Sequence, residues 1–407
     1  EDVFQKIQML MQEIDEKYPN LKVNLNASVS IEKIREKLLI NDELLIEFFE
    51  GSTHIYIFSI SKNNPISVIK IEKDEKFKET LLSFLKLFSD ERGSTLQNNI
   101  NNYTNLGFIL FKRLFKERLN KNIIIVPDGL FSFLPFDALI TEETAITNFE
   151  KLPYLIHKTN LSYAYSTSIL LNGSKAINRK KDKLLGFFPV FKNNHRSLAE
   201  LSYTEQEAES IENVIKGDFL FFENAKKNAF NSIGKEYSIL HLSTHASAGD
   251  FYTPPAIEFY DKSLYLPEIY GYNLNLDLVV LSACETGIGT LRKGEGVISL
   301  ARGFSYAGVK NLLVSLWKVN DKSTEKIMVG FYKNYKNSGK KSESLRLSKL
   351  DYLDDATISS LKKSPYYWAS FIYIGEITNV NSQPISYWWL LIAFIIFVGG
   401  FFFLKKW

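Results

Sequence analysis

From Leu184 onward the chain alternates short apolar runs with longer amphipathic ones. The apolar runs are Leu184–Phe188, Asp218–Phe222, Ser238–Ser243, Leu278–Ser282, Asn311–Ser315 and Phe371–Ile374. Runs of this length, nearly continuous in Leu, Ile, Val and Phe, predict strands buried on both faces. Between them Thr204–Ile215, Lys226–Ile233, Gly294–Ala307 and Lys322–Tyr335 repeat apolar residues at helical spacing. Strands alternating with helices predict an α/β fold whose mostly parallel sheet is covered on both faces.

Upstream the pattern is less regular. Glu1–Lys17 has helical spacing in Val3, Ile7, Leu10, Met11 and Ile14, as expected of the end of a helical array. Three β-rich runs follow, Glu43–Phe49, His54–Ile60 and Pro65–Ile71, then helical patterns at Phe77–Phe88 and Leu106–Leu119. Asn122–Gly129, "NIIIVPDG", predicts a buried strand stopping in a Pro/Gly turn. A polar stretch, Asn172–Lys183, separates this part from the regular alternation. The organisation expected is a helical segment over 1–30, a smaller α/β subdomain over 31–171 and the main α/β subdomain over 184–378.

The C-terminal stretch Tyr387–Leu404, "YWWLLIAFIIFVGGFFFL", carries no charge and is followed by Lys405 and Lys406. As a helix it would reach about 27 Å, close to a hydrocarbon core. Tyr387, Trp388, Trp389 and Trp407 stand where interface anchors belong. The sequence therefore predicts a membrane helix over 387–404 as a single C-terminal anchor. No Lys or Arg occurs from Ser364 to Ser386, so the charge bias favours an extracytoplasmic main domain. The chain begins Glu1-Asp2-Val3 instead of with Met, as a segment of a longer polypeptide would.

Composition narrows the function classes. A net charge of +3 from 49 basic and 46 acidic residues offers no basic field for nucleic acid. One cysteine, Cys284, excludes an intramolecular disulfide and a multi-cysteine zinc site. His241 and His245 in "HLSTH" have the spacing of a helical zinc motif. On a strand they would lie ~13 Å apart, too far to share a metal. His241 reads as a buried structural residue or one supporting a site. "GIGTLRKGEG" matches neither the dinucleotide-binding nor the Walker glycine pattern. No metal or cofactor is expected.

Chemistry gathers at the carboxyl ends of strands in open α/β sheets. His245 ends "YSILHLSTH" and Cys284 ends "LDLVVLSAC", on consecutive predicted strands. An imidazole beside a thiol can take its proton and make it a nucleophile. The bland alternative is a small buried hydrophobe at Cys284. "ETGIG" then turns the chain tightly beside the thiol.

The blocks "ILHLSTHA", "VVLSACETGIG", "GEGVISLARGFSYAGVKNLLVSLWKVND" and "YYWASFIYIG" resemble the CHAT domain. That is a caspase- and separase-like cysteine peptidase family often attached to tetratricopeptide repeats. "IIIVPDGLFSFLPFDAL" and "LSYTEQEAESI" extend the resemblance upstream, to roughly Ile31–Ile377 in all. It implies a caspase-like three-layer α/β/α sandwich, with His245 as general acid–base and Cys284 as nucleophile. No third triad member is evident. Acyl transfer would need an oxyanion hole, for which the backbone N–H groups of Cys284 and Ala246 are candidates. The family commonly has Gly after the histidine; a backbone donor survives the change to Ala246. Asp321 resembles an acidic position lining the first specificity pocket, or is an N-cap for the helix from Lys322. Trp317 is a cleft wall or a core residue.

The reading that follows is a membrane-anchored cysteine endopeptidase acting on a protein or peptide, controlled by upstream tetratricopeptide repeats that bind a regulatory protein. A non-catalytic caspase-like interaction module is the alternative. A non-peptidase thiol hydrolase is a weaker one.

Overall fold

The structure, a computed structural model, describes residues 29–377 apart from 42, 91, 117–118, 120, 173–182, 234–235, 250–251, 283–289, 293–295 and 319–320. Eleven strands form one sheet. The first part of the chain supplies β1 (Leu44–Glu50), β2 (His54–Ser61), β3 (Ser67–Glu72), β4 (Asn122–Val126) and β5 (Asn160–Tyr163). The second part supplies β6 (Leu184–Phe188), β7 (Gly217–Phe221), β8 (Ile239–Leu242), β12 (Leu278–Leu281), β15 (Leu312–Ser315) and β16 (Phe371–Ile374). Three short strands, β9 (Ala246–Ser247), β10 (Ala256–Glu258) and β11 (Ser263–Tyr265), make a separate small sheet, and β13 (Thr290–Arg292) pairs with β14 (Gly296–Ile298).

Strand order in the main sheet is β3-β2-β1-β4-β5-β16-β15-β12-β8-β6-β7. Strands β1, β4, β5 and β16 run parallel to one another, as do β15, β12, β8, β6 and β7. The two blocks meet where β16 runs antiparallel to β15, and β2 and β3 close one edge antiparallel. The result is a mixed α/β fold with a large, mostly parallel sheet. Because β16 pairs with both β5 and β15, the sheet is continuous across the two expected subdomains.

Burial explains why the central strands read as apolar runs. Every residue of β8, β12 and β15 is buried. The helices that bear on the argument are α1 (Ile31–Lys37), α2 (Glu75–Lys86), α3 (Ile100–Leu114), α4 (Thr204–Glu212), α5 (Leu300–Tyr306), α6 (Asp321–Ser338) and α7 (Lys341–Asp354). In α2, Asp74 caps the start by accepting from Phe77 N at 2.6 Å, and Phe77, Leu81 and Phe84 turn inward. Helix α4 turns Thr204, Glu207, Ala208 and Ile211 inward, a stripe at i, i+3, i+4 and i+7.

Two expectations are corrected. The helix predicted over Gly294–Ala307 begins only at Leu300, where Ser299 Oγ caps Arg302 N at 3.3 Å. The glycine-bearing, β-branched stretch before it pairs as β13 and β14 instead. The predicted membrane span is overturned as well. Among the described residues no helix is long and apolar enough to cross a membrane. Residues 387–404, on which that expectation and the orientation drawn from it rested, lie outside the described residues, as does the helical pattern at Glu1–Lys17.

Candidate active site

Strands β8 and β12 are parallel neighbours. Their register pairs Ile239 with Leu278, Leu240 with Val279, His241 with Val280 and Leu242 with Leu281. Each pair is 39 positions apart, the separation that also links His245 to Cys284 in the sequence. The ladder continues one step further, since Ser282 N donates to Leu242 O at 2.9 Å. Cys284 itself lies outside the described residues.

His245 follows β8 at the carboxyl edge of the sheet and is half-buried. Its main chain is held on both sides. Glu258 N donates to His245 O at 2.9 Å, and the Thr244 hydroxyl donates to Glu258 O. The imidazole Nε2 stands 2.7 Å from Ala199 O, with the Phe191 ring 5.4 Å away between centroids. A carbonyl accepts and cannot donate, so this bond assigns the proton to Nε2 and leaves Nδ1 as the basic nitrogen. The Ala199 carbonyl thus fixes the orientation of the imidazole. Sequence reasoning missed it, because a backbone carbonyl leaves no mark on residue type.

Ala246 opens β9 and stands opposite Ile257 of β10. The adjacent opposed pair, His245 with Glu258, carries the hydrogen bond. Antiparallel pairs alternate, so Ala246 falls on a non-hydrogen-bonded position. Its N–H is therefore turned away from β10.

Trp317 lies two residues beyond β15. It is 9% exposed, its Nε1–H donates to Tyr366 O at 3.0 Å, and its ring packs 4.8 Å from Phe88. That burial favours the core reading of this residue. The main chain of Asp321 opens α6 just past the same strand end; its side chain lies outside the described ones.

His241 is fully buried in β8, with Nδ1 2.9 Å from the Tyr332 hydroxyl of α6 and its ring stacked 5.4 Å from Phe188. It faces Glu207 of α4, a carboxylate that sequence reasoning did not single out. Burial first, then the charge of Glu207, pushes the Tyr332 hydroxyl well above its ordinary value.

Comparison with known proteins gives the family and the fold. A model of the CHAT domain matches residues 102–376. Tetratricopeptide repeat protein 28 of Homo sapiens is 29% identical over 157 residues, 37% of this chain and 6% of that protein. Its Mus musculus counterpart is 30% identical over 115 residues, 28% of this chain and 4% of that protein. The chain thus spans a small fraction of these relatives. Among solved structures, the Saccharomyces cerevisiae separase–securin complex superposes with a TM-score of 0.54 at 10% identity, covering 90% of this chain and 31% of that one. At that identity the likeness shows the fold alone.

Proposed function

We propose that this chain, which belongs to the CHAT domain family, is a cysteine endopeptidase working through His245 and Cys284. The observation that carries the reading is the register of β8 and β12. Its constant offset is the one that separates the imidazole from the thiol in sequence. Family membership and the separase-like fold support the same chemistry.

In this mechanism His245 Nδ1 takes the Cys284 proton, and the thiolate attacks the peptide carbonyl carbon. The carbonyl π pair moves to oxygen, where the N–H groups of Ala246 and Cys284 stabilise the charge. Collapse breaks the C–N bond, and the imidazolium gives its proton to the leaving amine. Water, deprotonated by the same nitrogen, then releases the acid and regenerates the thiol. The outward N–H of Ala246 and the Nε2–Ala199 bond support these roles. Asp321, at the start of α6, is proposed to favour a basic residue on the acyl side of the cut bond, as a carboxylate pairs with Arg or Lys. The name of the relatives supports association with tetratricopeptide repeats; control of the site by such repeats, through a regulatory protein they bind, is part of the proposal.

The test is labelling of the purified chain by a peptide acyloxymethyl ketone. The reading expects adduct formation that Cys284→Ala abolishes and His245→Ala slows at least about 100-fold. Labelling untouched by His245→Ala would refute the dyad.

A further inference from the structure

Beneath the two strand ends lies a buried polar cluster that the mechanism above does not use. Glu207, on the inward stripe of α4, is 3% exposed. Its Oε2 accepts from Ser243 Oγ at 2.6 Å, and its Oε1 accepts from Ser282 Oγ at 2.9 Å. His241 Nε2 stands 3.3 Å from the same Oε1, without the alignment of a hydrogen bond. The Thr204 hydroxyl lies 3.4 Å from Ser243 Oγ. Glu325 of α6 is the other acid that feels Glu207: burial, then the charge of Glu207, raises its carboxyl above the ordinary value. Tyr332 completes the set through His241.

An ionised carboxylate is costly to bury, and apolar residues of similar volume often stabilise a fold as well or better. What such residues cannot do is hold two hydroxyls at a fixed separation. The two hydroxyls here belong to Ser243 and Ser282, which are themselves 39 positions apart. Each stands two residues before a member of the proposed dyad. Among the described residues, the last ladder bond between the strands joins Leu242 and Ser282. Glu207 adds a side-chain tie at that level.

We propose that Glu207 is a positioning residue, which sets the spacing of His245 and Cys284 by tying the two strand ends through Ser243 and Ser282. The inference rests on the dyad reading. A thiol and an imidazole interact only within hydrogen-bond reach, and a misplacement of about 1 Å is worth about 100-fold in rate. The tie must therefore show in the reactivity of the thiol itself.

Cys284 is the only cysteine, so iodoacetamide alkylation followed against pH reads that one group without a substrate. With the dyad formed, the alkylation midpoint lies below the ordinary thiol value of about 8.5, and His245→Ala raises it. Glu207→Leu, checked for folding by circular dichroism, is expected to raise the midpoint by about 1 unit or more. Glu207→Gln is expected to stay within about 0.3 unit, because its amide can accept from one serine and donate to the other. If Glu207→Leu does not fold, the Ser243→Ala/Ser282→Ala double variant removes both ties and is expected to raise the midpoint likewise. A midpoint that depends on His245 but is unmoved by Glu207→Leu or the double serine variant overturns the proposal alone. So does a Gln variant shifted as far as Leu, which would make charge, not hydrogen-bond geometry, the cause. A wild-type midpoint at the ordinary value, insensitive to His245→Ala, sinks the dyad and the proposal with it.

Discussion

Replacing Lys349 by Met should destabilise the protein by about 3 kcal/mol, far more than a surface lysine would. Lys349, on α7, is 1% exposed, and its ammonium pairs with Asp137, itself 8% exposed. Asp137 sits in the short 3-10 turn Phe136–Ala138 between β4 and β5. Helix α7 packs on β5 and β16, at the seam where the two parallel blocks of the sheet meet. Removing one partner of a buried pair leaves an uncompensated charge and costs about 3–5 kcal/mol.

The low end applies here because Asp137 has a second cation nearby. The charge of Asp137 acts on Arg346, whose guanidinium is already committed to the carbonyls of Ile156, Thr159 and His157. Arg346 compensates part of the stranded charge from a distance but cannot replace the direct bond. If the cost arises from the unpaired carboxylate, removing both partners should restore most of the stability. The Asp137→Leu/Lys349→Met variant should lie within about 1 kcal/mol of the wild type. Urea denaturation of the four proteins in the cycle measures the coupling directly. A Lys349→Met cost below about 1 kcal/mol, or a double variant as unstable as the sum of the singles, would refute the reasoning.

Other outcomes follow from the site. In a peptide library, Asp321→Ala should lose a preference for Arg or Lys before the cut bond, by about tenfold or more in kcat/KM. An unchanged preference would reduce Asp321 to a helix cap. Glu325→Gln should be more stable than the wild type at pH 8 and equal to it at pH 4. Burial and the charge of Glu207 raise the folded carboxyl above 4.5. The protonated form is therefore the favoured one in the fold, and stability is lost as pH rises from 4.5 through the raised value. Thermal melts that show no pH-dependent difference would count against it.

How much of this was legible follows from what each element buries. Strands β6, β8, β12, β15 and β16 were readable because strands covered on both faces are nearly all apolar. Helix α7 was not. Its buried positions include Lys341, Ser342, Ser344, Ser348 and Lys349, so the apolar periodicity that marks a helix is missing. Each of these polar groups has found a partner instead. Lys341 pairs with Asp277 at 2.8 Å, Asn160 donates to Ser342 Oγ at 2.9 Å, and Ser348 Oγ donates to Ile327 O at 2.6 Å. Satisfied polar packing is as good a reason to be inside as hydrophobicity, but it is specified by residues distant in sequence. The small sheet of β9, β10 and β11 escaped notice for a related reason, its strands being two or three residues long.

The candidate site divides along the same line. His245 and Cys284 stand out because each follows an apolar strand, and a common offset of 39 turns two separate motifs into one constellation once the strands are paired. Ala199 meets the imidazole through its carbonyl, and Trp317 is buried in the core, so neither stands out by residue type. Glu207 is the instructive case. Helix α4 carries Glu205, Glu207, Glu209 and Glu212, which together read as a solvated acidic face. Yet the helix buries Thr204, Ala208 and Ile211 as its inward stripe, and of the four acids only Glu207 is buried with them. A carboxylate on the apolar stripe of a helix has to find donors across the interface. Here the sheet offers hydroxyls at the ends of the two strands that lead to the proposed dyad, and the carboxylate holds one on each oxygen. The phase of a charge within the helix, more than its presence, is what links that helix to the chemistry.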